Sequence, residues 1–322
     1  MLAAAVATAA LLASLPAAAR TARFSACLVT GADASADHLA YLGLLQAERH
    51  GIAGQVVRST SPADDVASLR SCARRHAGLT IAVGLPMADA TDAAATAFPD
   101  EEFAIVDVDI ATLTHRPSNV VGLLFREQQA GYLVGYAAGL WAKAHHGKAV
   151  GSIGGMQIPP VDGYIAGYQF GAKRADPSVT VLNDYAEDFV TEKACRQKAL
   201  AQIARGSVVE FQVAGRCGLG VLAAAREKNV FAIGVDSDQG RLGPWVMTSA
   251  LKRVDVAVAD AILRARAGTL DGGTNVEYGV GADGVGYGAW SPRVPPSIRA
   301  AVARQYRLLR AGRITGIPTT LK

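Results

Sequence analysis

An excess of charge of either sign is nearly absent from this sequence. Its 322 residues carry 32 Lys and Arg against 28 Asp and Glu, a formal net charge of +4, and the basic residues are scattered. Such a chain offers no electrostatic footprint for nucleic acid or for an anionic membrane surface. Catalytic signatures are missing too, for there is no G-x-S-x-G elbow, no phosphate loop and no H-E-x-x-H. That absence counts only weakly against an enzyme, because a nucleophile and its base meet in space rather than in sequence. The six histidines include the adjacent His145-His146, expected at a solvated link. Gly279 to Gly288 is dense in glycine, yet it lacks the strand–helix setting of a dinucleotide loop and reads as turns. Nothing in these patterns implies a metal or a cofactor.

Cysteine is scarce, with only Cys27, Cys72, Cys195 and Cys217, and their spacing matches no zinc motif. An even number in an exported chain fits two disulfides. Pairing within each half of the chain gives Cys27–Cys72 and Cys195–Cys217; three connectivities are open on sequence alone, and buried free thiols are the alternative. Long apolar runs are limited to residues 1–19, which end in small residues and resemble a secretory signal. The run lacks a basic start and contains Pro16, so residues 1–22 are read as a signal peptide or an N-terminal anchor.

What is present is a large stock of core-forming side chains, since half the residues are hydrophobic. From Ser25 onward, strand, loop and helix alternate without hairpin signals, which argues for parallel sheets wound by helices. Strands are expected at 25–30, 54–57, 79–84, 103–107 and 119–124, then at 149–155, 179–183, 208–213 and 230–235. Phe189 is expected to head a helix that runs to Ala204. Two such series exceed one ordinary domain, and the seam falls near Lys143–Lys148. The expected fold is therefore α/β with two lobes. Residues 23–145 with 250–272 form the first, 146–249 with 273–292 the second, and 293–322 a terminal helix.

The stretch Phe231 to Gln239 organises the functional reading. Its apolar start ends abruptly at Asp236, Ser237 and Asp238. Ligands of open α/β sheets bind beyond the carboxyl ends of the strands, where carboxylates can accept from a polyol. The competing reading of these residues is an Asx turn or a helix cap. Asp107, Gly155 and Gly215 also stand at strand ends and would face the same crevice. Binding without reaction is the simplest use of such a cleft.

Several stretches together resemble the basic membrane protein family of substrate-binding proteins. They are FAIVD (103–107), NVVGLLFREQQAGYLVGYAAGLWAK (119–143), VGSIGG (150–155), GYQFGAK (167–173), GVDSDQ (234–239) and TSALKRVD (248–255), in order. The resemblance implies a two-lobed type I periplasmic binding protein that closes on a purine nucleoside at its hinge. It implies a stacking ring at Phe189, a ribose clamp of Asp236 and Lys252, an acceptor at Asp107 and close backbone approach at Gly215. The bland alternatives are a core ring for Phe189 and a surface lysine for Lys252. The region Gly31 to His38 departs from the family's D-x-S-F-N loop because it has no phenylalanine, leaving Tyr41 as the substitute second ring. Cys27 lies inside the first strand, which argues against acylation. The implied partners are a nucleoside and an ABC permease, with no nucleic acid, and the implied state is a monomer outside the cytoplasm. A ligand sensor on the same fold is the alternative, and an α/β nucleoside hydrolase a more distant one.

Overall fold

The computed structural model describes residues 23–31 and 34–321. The expected signal or anchor at 1–22 lies outside the described residues, as do positions 32 and 33 of the first loop. The first lobe is built from β1 (Ser25–Thr30), α1 (Ala34–Glu48), β2 (Ala53–Arg58), α2 (Pro62–Ala73), β3 (Leu79–Val83), α3 (Ala88–Ala97), β4 (Phe103–Val106) and β5 (Val120–Phe125). The second lobe takes α4 (Glu127–Ala144), β6 (Ala149–Gly154), α5 (Pro159–Ala175), β7 (Thr180–Tyr185), α6 (Glu192–Ala204), β8 (Ser207–Val213), α7 (Gly218–Glu227), β9 (Phe231–Asp236) and β10 (Val246–Lys252). The chain then returns as α8 (Val254–Arg266) and β11 (Thr274–Tyr278), crosses again to β12 (Val285–Tyr287) and ends in α9 (Pro296–Arg310).

Each lobe holds one six-stranded sheet, ordered β11-β5-β4-β3-β1-β2 in the first and β12-β10-β9-β8-β6-β7 in the second. The two orders are the same sequence of places, so the lobes are repeats of one plan. Central strands such as Phe103-Ala104-Ile105-Val106 are apolar and buried throughout, as strands covered on both faces must be. The pairings are parallel except for β10 with β12.

The expected lobe boundaries need two corrections. Strand β10 belongs to the second sheet down to Lys252, so residues 250–252 do not start the return segment. Residues 274–278, expected in the second lobe, pair with β5 in the first sheet, from Thr274 beside Val121 to Tyr278 beside Phe125. Sequence pattern hides this strand because it is short, polar and mostly exposed. The glycine-dense run read as turns likewise contains β12. Phe189 does not head a helix; it precedes α6 by a short loop.

Helices that cross between lobes pack on the opposite lobe's first helix. Helix α4 leaves the first sheet and lies on α5, and α8 leaves the second sheet and lies on α1. The α4–α5 contact is backbone on backbone. A Cβ at Gly131 would stand 2.1 Å from the Tyr164 carbonyl oxygen, and one at Gly135 2.1 Å from that of Tyr168. From the other side, Gly167 faces the Gln128 oxygen at 2.1 Å and Gly171 the Tyr132 oxygen at 2.2 Å. No larger residue fits. Disulfides join Cys27 to Cys72 and Cys195 to Cys217, the pairing expected within each half.

Candidate ligand-binding cleft

The repeat places β4 and β9 third in their sheets; Asp107 directly follows β4 and Asp236 ends β9. Asp107 has φ of 65° and Asp236 of 61°, the left-handed region that aspartate tolerates better than most side chains. One residue type thus ends the strand and presents a carboxylate at its tip. Lys252 ends the neighbouring β10, one step past Leu251, which is paired with Asp236. Its ammonium lies 2.6 Å from both carboxylate oxygens of Asp107, across the lobes, and 3.1 Å from Glu127 Oε1 at the start of α4. It also sits 4.9 Å from the ring centre of Phe125.

Lys252 is 5% exposed, so it is no surface lysine. Burial pulls its pKa down, but Asp107, Glu127 and Asp236 outweigh that and hold the ammonium charged, above its usual range. Burial pushes Glu127 up to about 7, against the pull of Lys252 and with help from the Asp107 charge. The buried Tyr164 hydroxyl donates to Asp236 Oδ1 at 3.2 Å. Burial, then the carboxylates of Asp236, Glu127 and Asp107, raise this phenol well above its ordinary value, so it stays a donor. Asp107 Oδ1 is buried and is engaged by the ammonium as an ion pair rather than by a directed hydrogen bond.

A second group stands farther along the same sheet edge. The ring of Phe189 covers the ends of β6 and β8. A Cβ at Gly155 would meet Phe189 Cδ1 at 2.3 Å, and one at Gly215 would stand 3.6 Å from it. Gly215, with φ of 53°, turns the chain so that Cys217 N–H donates to the Phe189 carbonyl at 2.9 Å. The half-buried ring rests on glycine at both strand tips and packs against the edge of the hydrophobic core. Exposed Leu85, Met156 and Val190 follow β3, β6 and β7 and give these sheet ends an apolar rim.

Of the sequence-derived site residues, Asp107, Asp236 and Lys252 come together, and so do Phe189 and Gly215. Tyr41 stands apart. It is 41% exposed on α1, and no hydrogen bond, ion pair or ring contact ties it to either group among the described residues. Asp238 is occupied with local backbone, accepting from Gly240 N–H at 2.9 Å and Ala289 N–H at 2.9 Å, so the turn reading holds for it. Gln239 braces the same tip by accepting from Val235 N–H at 3.2 Å and Gln212 Nε2 at 2.8 Å. Sequence reading missed Glu127 and Tyr164. Glu127 lay in view, an acid opening a helix directly after a buried strand, whereas Tyr164 looked like any helix aromatic.

Residues 29–306 match the family described as ABC transporter substrate-binding protein, PnrA-like. The chain belongs to this family. An antigen of Listeria monocytogenes described as CD4+ T-cell-stimulating is 34% identical over 263 residues, covering 76% of this chain and 72% of that one. The ABC transporter nucleoside-binding protein BmpA of Lactococcus lactis is 31% identical over 276 residues, covering 80% and 76%. The PnrA-like fold recurs in solved structures. A solute-binding protein of an ABC transporter system from Aeropyrum pernix superposes with a TM-score of 0.76 at 23% identity, covering 92% of this chain and 94% of that one. Another from Conexibacter woesei gives 0.75 at 22% identity, covering 92% and 100%. This PnrA-like chain is therefore an ABC transporter solute-binding protein with two lobes of the periplasmic binding protein type. Among its described residues no helix is long and apolar enough to cross a membrane.

Proposed function

We propose that the protein captures a purine nucleoside between its lobes, outside the cytoplasmic membrane, and delivers it as a monomer to an ABC permease. The observation that carries this reading is the row Lys252, Asp236, Gly215, Gly155 along one sheet edge, in the strand order β10-β9-β8-β6. Strands lie about 4.8 Å apart, so the charged pair and the Phe189 ring are separated by about 10 Å. That spacing suits a polyol at one end of the ligand and a planar ring at the other. Vicinal hydroxyls would accept from Lys252 and donate to Asp236 and Asp107. Hydrogen bonds to charged groups are about twice as strong as neutral ones. A base stacked on an aromatic face gains about 1–3 kcal/mol.

The charge pattern supports a neutral guest. One ammonium stands among three carboxylates and is already shared by two of them, so a phosphate would meet a cation that is already engaged. A thermal-shift screen of nucleosides, free bases, sugars and nucleoside monophosphates tests the proposal. At one hundred times the dissociation constant a nucleoside should add about 2.7 kcal/mol to stability. Monophosphates should add little. Flat melting curves for every nucleoside would overturn the reading.

A further inference from the structure

We propose that Glu127 and Tyr164 are positioning residues of the cleft, Glu127 acting through Lys252 and Tyr164 through Asp236. The proposal rests on the nucleoside reading and assigns roles to two residues that need not touch the ligand. In the second lobe's half of the polyol clamp, Lys252 is met by Glu127 and Asp236 by Tyr164. Glu127 Oε1 lies 3.1 Å from the Lys252 ammonium, and the Tyr164 hydroxyl lies 3.2 Å from Asp236 Oδ1. Both holders are buried, Glu127 at 6% exposure and Tyr164 at 2%.

Their placement follows from the glycine interlock. Glu127 opens α4 and Tyr164 lies in the second turn of α5. The contacts between these helices fall beside the two residues. Gly131 meets the carbonyl of Tyr164 itself, Gly167 meets the carbonyl of Gln128, and a Cβ at Gly163 would stand 3.6 Å from Glu127 Cβ. Two helices locked backbone to backbone cannot slide, so their first turns hold these side chains in fixed register with the strand tips. A buried lysine has three donors and no fixed direction. Asp107 and Glu127 hold the ammonium between them and so fix where it stands at the end of β10. Asp236 has several lone pairs, and Tyr164 takes one of them, which sets the carboxylate plane for the ligand.

The charge on Glu127 makes this arrangement depend on pH. The groups facing it are Asp107 after β4, Lys252 from β10 and Tyr164 from α5, with Asp236 from β9 acting on Lys252 and Tyr164 in turn. When Glu127 takes up a proton it releases its hold on the ammonium, which then swings fully onto Asp107. Affinity should therefore fall as pH drops through about 7, where burial places this carboxyl.

The test uses the full chain with inosine and 2′,3′-dideoxyinosine, measured by calorimetry from pH 5.5 to 8.5. Tyr164→Phe should weaken inosine about ten-fold, the effect of one hydrogen bond to a charged group, and leave dideoxyinosine unchanged. Glu127→Gln should bind inosine at the weaker level and show no pH step. In the ligand-free protein the Lys252 13Cε resonance should step near neutral pH in the wild type and in Tyr164→Phe, but not in Glu127→Gln. Equal loss of both ligands in Tyr164→Phe, or a retained pH step in Glu127→Gln, would overturn the proposal. If the wild type binds no nucleoside, the nucleoside reading fails by itself. The lysine resonance then decides the role of Glu127, and a wild type without a step overturns it.

Discussion

The two lobes share one strand order and differ in what they place on it. The last residue of β5 is Phe125 and the last residue of β10, its counterpart, is Lys252. Each is followed by an arginine with nearly the same backbone, φ −94° and ψ 64° at Arg126, φ −93° and ψ 65° at Arg253. Both arginines donate their N–H to a carbonyl of the last crossing, Arg126 to Tyr278 and Arg253 to Gly284. The backbone repeats and the chemistry does not. The aspartates at the tips of β4 and β9 are common to both lobes, while the cation is supplied by one. The shared geometry repeats the strand tips, and at this matched pair only the second lobe supplies a cation.

The comparison breaks most sharply at that pair. Lys252→Met leaves Asp107 and Glu127 without their cation, and losing one partner of a buried ion pair costs about 3–5 kcal/mol. Phe125→Met at the matching place should cost less than about 1.5 kcal/mol, being a conservative apolar exchange. Denaturant unfolding at pH 8 measures both, and equal losses would show that the asymmetry is without energetic weight.

The crossing helices give the next contrast. Gly135→Ala drives a methyl group into the Tyr168 backbone and should cost about 3 kcal/mol, the upper end of overpacking. Gly43, on α1 in the mirror contact with α8, is 2.6 Å from the Asp255 oxygen by the same measure, so Gly43→Ala should cost nearer 1 kcal/mol. Thermal unfolding of the pair tests whether the second lobe's helix contact is the tighter one.

A third contrast lies in the sheet interiors. Strand β3 is wholly buried and mostly apolar, whereas its counterpart β8 carries Glu210 at 0% exposure. Burial pushes Glu210 up to about 8, with Ser207 working against the shift and the Asp184 charge adding to it. Between its unfolded pKa, ordinarily about 4.3, and about 8, the folded protein holds a proton that the unfolded chain has lost. The contribution of Glu210 to stability therefore falls as pH rises through that window, by up to about 1.4 kcal/mol per unit. Glu210→Gln should flatten the profile and be the more stable form at pH 8. The same amide could donate to Gln202 Oε1, a buried acceptor now without a partner.

The smallest effect separates the two disulfides. They close loops with sequence separations of 45 and 22 residues, one in each lobe. Doubling a loop adds only about 0.6 kcal/mol of closure entropy. Replacing each pair by serine should give unfolding free energies that differ by about that amount, with the first lobe losing more.

Most of the architecture was legible because buried parallel strands announce themselves. Phe103 to Val106 and Phe231 to Val235 have no polar alternation, and the aspartate after each marks a tip. The return of the chain was less legible. Thr274 to Tyr278 is a half-polar edge strand whose pairing with β5 is fixed by a partner about 150 residues away. At the cleft, position at a strand end pointed to Asp236, whereas Lys252 and Phe189 were named from the family resemblance. Neither pointed to Tyr164. Its hydroxyl matters through one carboxylate met in space, and its spacing along α5 is that of any core aromatic. Tyr41 was named by analogy with the family's first loop, and it stands exposed on α1.

The three crossings also govern how the protein can be made. The first sheet is completed by β11, and α1 is covered by α8, yet both come after the whole second sheet apart from β12. On a ribosome the early half must wait, with one sheet edge and one helix face uncovered, until residue 278 has emerged. Neither half is a transferable unit, so a graft between relatives has to exchange discontinuous segments together.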